Sequence, residues 1–193
     1  MTNEEATYDV ALIPKRTAKL EWCAISGACG LLRNNPARSV EMKYKPVVTF
    51  CPMAQYHLNE VINIEQRTFD EPWEPLDFYI ARKNPNGGVL IAERREQVIG
   101  YAAYAIQNRK ITILNLAVDC DYRNQGVGSS LVDSAKHSMV SGTRRVTAII
   151  RESNLDAQLF FQSQGFRALG VLPNYYGSNE DAYRFTWCHW GAG

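Results

Sequence analysis

Amide N–H groups gathered at the start of a helix are the strongest chemical signal in this chain. The run Leu114-Asn-Leu-Ala-Val-Asp-Cys-Asp-Tyr-Arg-Asn-Gln-Gly-Val-Gly-Ser-Ser-Leu131 combines an apolar stretch, a short polar turn, two glycines one residue apart and the opening of an amphipathic segment. Glycines at such a point let the backbone approach a bulky group, and several N–H donors are exposed where the helix begins. With the helix dipole behind them, these donors favour a pyrophosphate. Two other phosphate signatures are excluded by residue type. No Gly-x-x-x-x-Gly-Lys-Ser/Thr run occurs. A dinucleotide fingerprint would need a third glycine and an early place in a β-α-β unit.

Other reactive side chains are sparser. Tyr175 and Tyr176 stand between Pro173-Asn174 and Gly177, a loop composition in which aromatic packing is a less natural role than binding. The cysteines Cys23, Cys29, Cys51, Cys120 and Cys188 are odd in number and form no Cys-x-x-Cys pair, so neither a disulfide framework nor a zinc cage is expected. His57, His137 and His189 have no metal-ligand spacing, and no metal is expected. Nothing near Cys120 marks an activated nucleophile, Asp119 suits the fixing of a turn, and Glu152 suits the start of a helix.

These groups need elements to hold them. Val47–Phe50 reads as a short strand, Met53 to about Phe69 as a helix with Leu58, Val61, Ile62 and Ile64 on one side, and the segment holding Leu76, Phe78, Tyr79 and Ile80 as a second helix. Val89–Glu93 and Val98–Ile106 form a hairpin around Arg94–Gln97. Ile111–Val118 is continuous enough in apolar character for a central strand covered on both faces. A helix from Ser129 to about Val140 carries Leu131, Ala135 and Met139 on one stripe, and Arg145–Ile150 follows as a buried strand. Ser153-Asn154 looks like an N-cap, with Gly165 as a left-handed stop. Strands around Ala168–Leu172 and Ala182–Trp187 close the chain, giving the order β-α-α-β-β-β-α-β-α-β-β and a mixed α/β sheet in one layered domain.

Bulk properties narrow the function classes. The chain has 193 residues, 46% apolar and 21% charged, with a net charge of +1. That balance suits a soluble globular domain and gives no reason to expect nucleic acid as a partner. No apolar run reaches the roughly 18 residues of a membrane span, and the acidic start lacks the features of a secretory signal. A cytoplasmic location and no membrane contact are therefore expected. Residues 1–46 read as a partly disordered extension with one short helix candidate at Leu20–Leu32, and residues 47–190 as the domain.

The chain resembles the GNAT superfamily of N-acetyltransferases, and within it the ribosomal-protein alanine acetyltransferases. The resemblance runs from about Val47 to Trp187. It rests on Glu65-x-x-x-Phe69-x-x-Pro72-Trp73, on Asn115-Leu-Ala-Val118 with Tyr122-Arg-Asn-Gln-Gly-Val-Gly128, on Glu152-Ser-Asn154 with Phe161-x-x-x-Gly165-Phe166, and on Asn174-Tyr175-Tyr176 followed by Glu180-Asp181-Ala182. It implies a twisted sheet with helices on both faces, splayed near Val118 to admit the pantetheine arm of acetyl-CoA. Backbone groups of Leu116, Ala117 and Val118 would then meet pantetheine and the thioester carbonyl. Arg123, Asn124, Gln125, Gly126, Val127, Gly128 and Ser129 would hold the pyrophosphate, and Asn154 would reach the cofactor from its helix start. Phe69, Trp73 and Tyr175 would frame the acceptor, with Tyr176 the first choice for a catalytic side chain. The implied partner is a protein or peptide N-terminus.

Two positions depart from that pattern. Where the resembled enzymes carry a glutamate base this chain has Ile149, and where they carry a tyrosine acid it has Phe161. Three readings stay open. The enzyme works by positioning and carbonyl polarisation alone; Tyr176, Tyr175 or Asp119 replaces the missing pair; or the domain is a non-catalytic acyl-CoA- or peptide-binding module. Deprotonating an α-amine of pKa about 8 at neutral pH costs about 1–1.5 kcal/mol, against about 4–5 for a lysine near 10.4. A site without a base favours the α-amine over a lysine side chain, with a small amine as a further alternative.

Overall fold

The computed structural model describes residues 47–137, 145–176 and 180–188. The helix candidate at Leu20–Leu32, the extension 1–46 and Met139 lie outside the described residues. The elements are β1 (Thr49–Pro52), α1 (Leu58–Thr68), α2 (Pro75–Lys83), β2 (Gly87–Arg94), β3 (Gln97–Gln107), β4 (Lys110–Val118), α3 (Val127–His137), β5 (Arg145–Arg151), α4 (Leu155–Ser163), β6 (Arg167–Leu172) and β7 (Ala182–Cys188). This is the expected order, with bounds shifted by a few residues. The helix expected from Met53 begins instead as a short 3-10 turn over Gln55–His57 and turns α-helical at Leu58.

One seven-stranded sheet holds the strands in the order β1-β2-β3-β4-β5-β7-β6. Every neighbouring pair is antiparallel except β4 and β5, which run parallel and are joined through α3. The two-residue turns of the β2–β3 and β3–β4 hairpins place Arg95, Glu96, Asn108 and Arg109 at positive φ, the twist that suits a tight hairpin.

Side-chain alternation sorts the core into two halves. On one face Val61 and Ile64 of α1 and Phe78 and Ala81 of α2 pack on Ile91, Tyr101, Ala103, Leu114 and Ala117. On the other, Leu131 and Val132 of α3 and Ala157 and Phe161 of α4 pack on Ile111, Ile113, Leu116, Val118, Ala148 and Ile150. Strands covered on both faces are apolar at nearly every position, which is why β4 reads as a near-continuous run broken only by Thr112 and Asn115 after Lys110.

Two irregularities in β4 shape the centre of the sheet. The register passes from Ala103↔Asn115 to Tyr104↔Ile113, so Leu114 is an extra residue, a β-bulge. The parallel pairing with β5 covers only Lys110–Ile113 against Arg145–Ala148. Beyond the bulge β4 runs on to Val118 and β5 to Arg151 without pairing each other, so the sheet opens between them.

Candidate active site

Strand parity decides what faces the opening. The Asp119 N–H donates to the carbonyl of Ile99 on β3 at 2.9 Å, in line with the pairing of Ala117 with Tyr101. In an antiparallel ladder alternate residues turn their N–H and C=O to the same neighbour. Ala117 and Asp119 therefore serve β3, and the backbone groups of Leu116 and Val118 turn the other way, into the gap left by β5. The Val118 carbonyl is taken by Arg123 Nε at 3.0 Å, which ties the polar turn to the end of the strand.

The opposite wall follows from the same rule. The Glu152 N–H donates to the Asp181 carbonyl at 3.1 Å, in register with Ile150↔Tyr183. Ile150 and Glu152 therefore face β7, and the backbone of Ile149 faces the gap. The Tyr176 hydroxyl donates to the Ile149 carbonyl at 3.2 Å. A loop tyrosine thus stands across the opening from the Leu116 and Val118 amides.

That loop is braced by several contacts. The Arg151 guanidinium lies 4.2 Å from the centre of the Tyr176 ring and pairs with Glu180, which also accepts from the Ser153 hydroxyl. The Asn174 N–H donates to Asp181 Oδ1 at 2.8 Å, and Tyr175 meets Tyr176 edge to face at 5.1 Å. Burial raises the Tyr175 phenol above its ordinary range, so it stays neutral at physiological pH.

The glycine turn is built as an anion cradle. Asn124 and Gly126 have φ of +58° and +83°. The ladder of α3 begins with the Ser130 N–H donating to the Gly126 carbonyl at 3.0 Å, so the N–H groups ahead of Ser130 have no partner within the helix. A Cβ built on Gly126 meets nothing within 4 Å; glycine is needed there for its φ and its open side. Val127 and Gly128 are buried against the core, while Ser129 is half-buried.

The remaining candidates fall into place unevenly. Asn154 caps α4, its side chain accepting from the Ala157 N–H at 3.0 Å. Phe69 and Trp73, 5% and 4% exposed, belong to the core under α1 and α2 and do not line an open acceptor surface as expected. Asp119 holds its own turn, accepting from the Asp121 N–H at 3.0 Å, and pairs with Arg67 at 3.0 Å. Phe161 is fully buried, edge to face with Phe160 and Phe166. Cys120 is exposed beside Arg67, 2.9 Å from a guanidinium nitrogen. Partial desolvation raises its thiol pKa, Arg67 opposes that, and Asp119 and Asp121 reinforce it. It is not a poised thiolate.

One residue of consequence appeared in the sequence only as part of a motif. Glu65 on α1 is 1% exposed; its Oε1 accepts from the Trp73 N–H at 2.8 Å and from Asn115 Nδ2 at 3.0 Å, and its Oε2 from the Tyr101 hydroxyl. The signal was available: Glu65 stands one helical turn after Val61, on the buried stripe of α1.

Cys51, His57 and Glu93 bring potential metal-ligating atoms within 4.8 Å of one another. The Ala54 N–H donates to His57 Nδ1 at 2.9 Å. The neutral ring then carries its proton on Nε2, 2.8 Å from Glu93, and the lone pair a metal would need is not offered there.

The profile of the acetyltransferase (GNAT) family matches residues 58–166, more than half of the chain. The chain belongs to this family. It is 30% identical over 132 residues to a Bacillus subtilis protein described as a candidate ribosomal protein bS18-alanine N-acetyltransferase, covering 67% of this chain and 87% of that one. An N-alpha-acetyltransferase of Sulfurisphaera tokodaii is 26% identical over 141 residues, covering 65% of this chain and 84% of its own. Among solved structures, the ribosomal-protein-S18-alanine N-acetyltransferase of Escherichia coli superposes with a TM-score of 0.66 at 25% identity, covering 76% of this chain and 97% of that one. As a GNAT member this protein is an acetyl-CoA-dependent N-acetyltransferase with a mixed α/β sheet. Among the described residues no helix is long and apolar enough to cross a membrane.

Proposed function

We propose that this acetyltransferase acts on the N-terminal α-amine of a protein, with acetyl-CoA lying in the opening between β4 and β5. The observation that carries the reading is the pairing of walls there: the Leu116 and Val118 amides on one side and the Tyr176 hydroxyl on the other. The names of the Bacillus subtilis and Sulfurisphaera tokodaii relatives, a candidate ribosomal protein bS18-alanine N-acetyltransferase and an N-alpha-acetyltransferase, support the choice of acceptor. Residues 47–190 form the catalytic domain and 1–46 an extension, and a cytoplasmic setting suits the free thiols of Cys51, Cys120 and Cys188 among the described residues.

In this reading Leu116 and Val118 line the pantetheine arm, while Ala117, expected beside them, turns its backbone to β3 and its side chain into the core. The Val118 N–H donates to the thioester carbonyl, stabilising the oxyanion. The amides from Arg123 through Ser129, with Asn124, Gln125, Gly126, Val127 and Gly128 between, hold the pyrophosphate. Asn154 bounds the cofactor from the start of α4. Tyr175 frames the acceptor, and Phe69 and Trp73 act from the core behind the α1–α2 loop and do not line its surface. The amine nitrogen bonds to the carbonyl carbon, the C–S bond breaks, and a proton passes from nitrogen to sulfur. Tyr176 serves that transfer, giving its hydroxyl proton to the departing thiolate and taking the one the amine sheds.

A second reading, a domain that binds acyl-CoA without turnover, is favoured by one observation: Ile149 and Phe161 are both apolar. Steady-state release of CoA thiol from acetyl-CoA separates the two. The panel holds peptides with free N-termini, blocked lysine-bearing peptides and polyamines, each across pH 6–9. Turnover confined to free N-termini and rising to a plateau near pH 8 is expected; binding without turnover on any acceptor refutes the catalytic reading.

A further inference from the structure

The β4 bulge requires something to hold it in register. A bulge sets two consecutive side chains on one face, and here Leu114 and Asn115 both turn toward α1. Sliding the register by one residue would carry Asn115 into the apolar cluster under α3. It would also swing the Leu116 and Val118 amides onto β3, away from the opening. Neighbouring apolar residues resist such a slip only weakly, because β4 is apolar on both faces and its residues exchange places without losing burial.

Asn115 is the exception. It is fully buried, its Oδ1 has no partner, and its Nδ2 is held by Glu65 at 3.0 Å. The Glu65 Oε1 that meets Asn115 already accepts from the Trp73 N–H, so the Asn115 amide turns its NH2 group, a donor, toward it. The same Glu65 oxygen receives the Trp73 N–H from the loop between α1 and α2, and the other receives the Tyr101 hydroxyl from β3. Trp73 packs on Phe78 at 5.2 Å and Phe78 on Tyr101 at 5.3 Å, closing a ring around the carboxylate.

We infer that Glu65 is a positioning residue. Through Asn115 it fixes which amides of β4 face the cofactor, and through Trp73 it holds the acceptor-side loop to the same strand. The inference rests on the placement of acetyl-CoA against Leu116 and Val118 proposed above.

The test measures acetyl-CoA affinity by titration calorimetry and acceptor-peptide KM for folded samples of the wild type, Glu65→Gln, Glu65→Ala, Asn115→Ser and the Glu65→Ala/Asn115→Ser double variant. The side-chain amide introduced by Glu65→Gln can keep its oxygen toward the Trp73 and Asn115 donors while its NH2 group meets the Tyr101 hydroxyl, which can accept. Glu65→Gln is therefore expected to bind acetyl-CoA within about threefold of wild type, as a conservative rescue. Glu65→Ala and Asn115→Ser each weaken binding about tenfold, the loss of roughly one cofactor hydrogen bond. The double variant is no weaker than either single, because both break one link. Should Glu65→Ala fail to fold, Asn115→Ser breaks the same link from the strand side. Wild-type affinity in folded Asn115→Ser, or additive losses in the double variant, overturns the inference. No acetyl-CoA binding by the wild type would instead overturn the cofactor placement.

Discussion

Replacing Tyr176 with Phe removes one oxygen and leaves the ring. The Arg151 guanidinium, 4.2 Å from the ring centre, keeps its stacking partner, and the Arg151–Glu180 pair that braces the loop is untouched. What the substitution removes at Ile149 is a neutral hydrogen bond, 3.2 Å long, to its carbonyl. Such a bond contributes about 1 kcal/mol, equivalent to a fall of roughly 2–4 °C in Tm for a domain of this size. If the hydroxyl only braced the loop, kcat would change by less than about tenfold. If it moves the proton between amine and thiolate, its loss costs about 100-fold or more in kcat, roughly 2.7 kcal/mol at the transition state. The two costs are far enough apart to separate. Thiol-release kinetics at saturating acetyl-CoA and peptide give kcat, and thermal melts give the stability change. A kcat within tenfold of wild type would refute a catalytic Tyr176 and return the site to positioning and carbonyl polarisation alone.

Other perturbations test the frame around the site. Gly126→Ala places a side chain at φ +83°, a strain of about 1–2 kcal/mol with no steric clash, and should weaken acetyl-CoA binding at least tenfold by calorimetry while Tm falls only a few degrees. Gly100→Ala has ordinary backbone angles, but its Cβ would lie 2.9 Å from the Ala117 carbonyl and 3.4 Å from Val118 Cα. It should cost about 1–3 kcal/mol in denaturant titration and weaken acetyl-CoA as Val118 is pushed aside. Burial, and for Cys51 also the nearby Glu93 charge, raises the pKa of Cys51 and Tyr175 in the folded state. The unfolded chain therefore releases these protons first as pH rises. Their contribution is intact below the unfolded values and is lost with rising pH, so Tm should hold from pH 7 to 8 and fall from about pH 9 upward. A flat or rising Tm in that range would contradict it.

The order of elements was legible because the physical signals were local. β4 is buried on both faces and reads as a near-continuous apolar run, α1 carries its stripe, and Gly165 at φ +80° marks the stop after α4 as its type suggests. The glycine turn was legible for the same reason, since backbone reach and helix-start donors follow from residue type. The bulge at Leu114 left no local trace: an extra residue in a strand apolar on both faces changes no hydrophobic pattern. The contact of Tyr176 with Ile149, 27 residues apart in the chain, depends on β7 inserting between β5 and β6. Phe69 and Trp73 were expected at the acceptor, yet both are held in the core under α2, where large aromatic area is best buried.

The apolar replacements at Ile149 and Phe161 then have a common physical reading. Val146, Ala148 and Ile150 point into the cluster under α3 and α4, so alternation turns the Ile149 side chain to the acceptor face. A carboxylate there would lie beside the carbonyl that Tyr176 already engages. Phe161 is sealed between Phe160 and Phe166, and a hydroxyl added to its ring would need a partner within that cluster. Neither position therefore offers a proton-handling group, and in the proposed reading Tyr176 supplies one from the neighbouring loop. The arrangement is adequate for an amine that is already partly neutral. Deprotonating an α-amine costs about 1–1.5 kcal/mol against about 4–5 for a lysine, so a site without a strong base favours the α-amine by roughly 3 kcal/mol. In the proposed reading the choice of acceptor follows from the apolar side chains of Ile149 and Phe161 as much as from the amides of Leu116 and Val118.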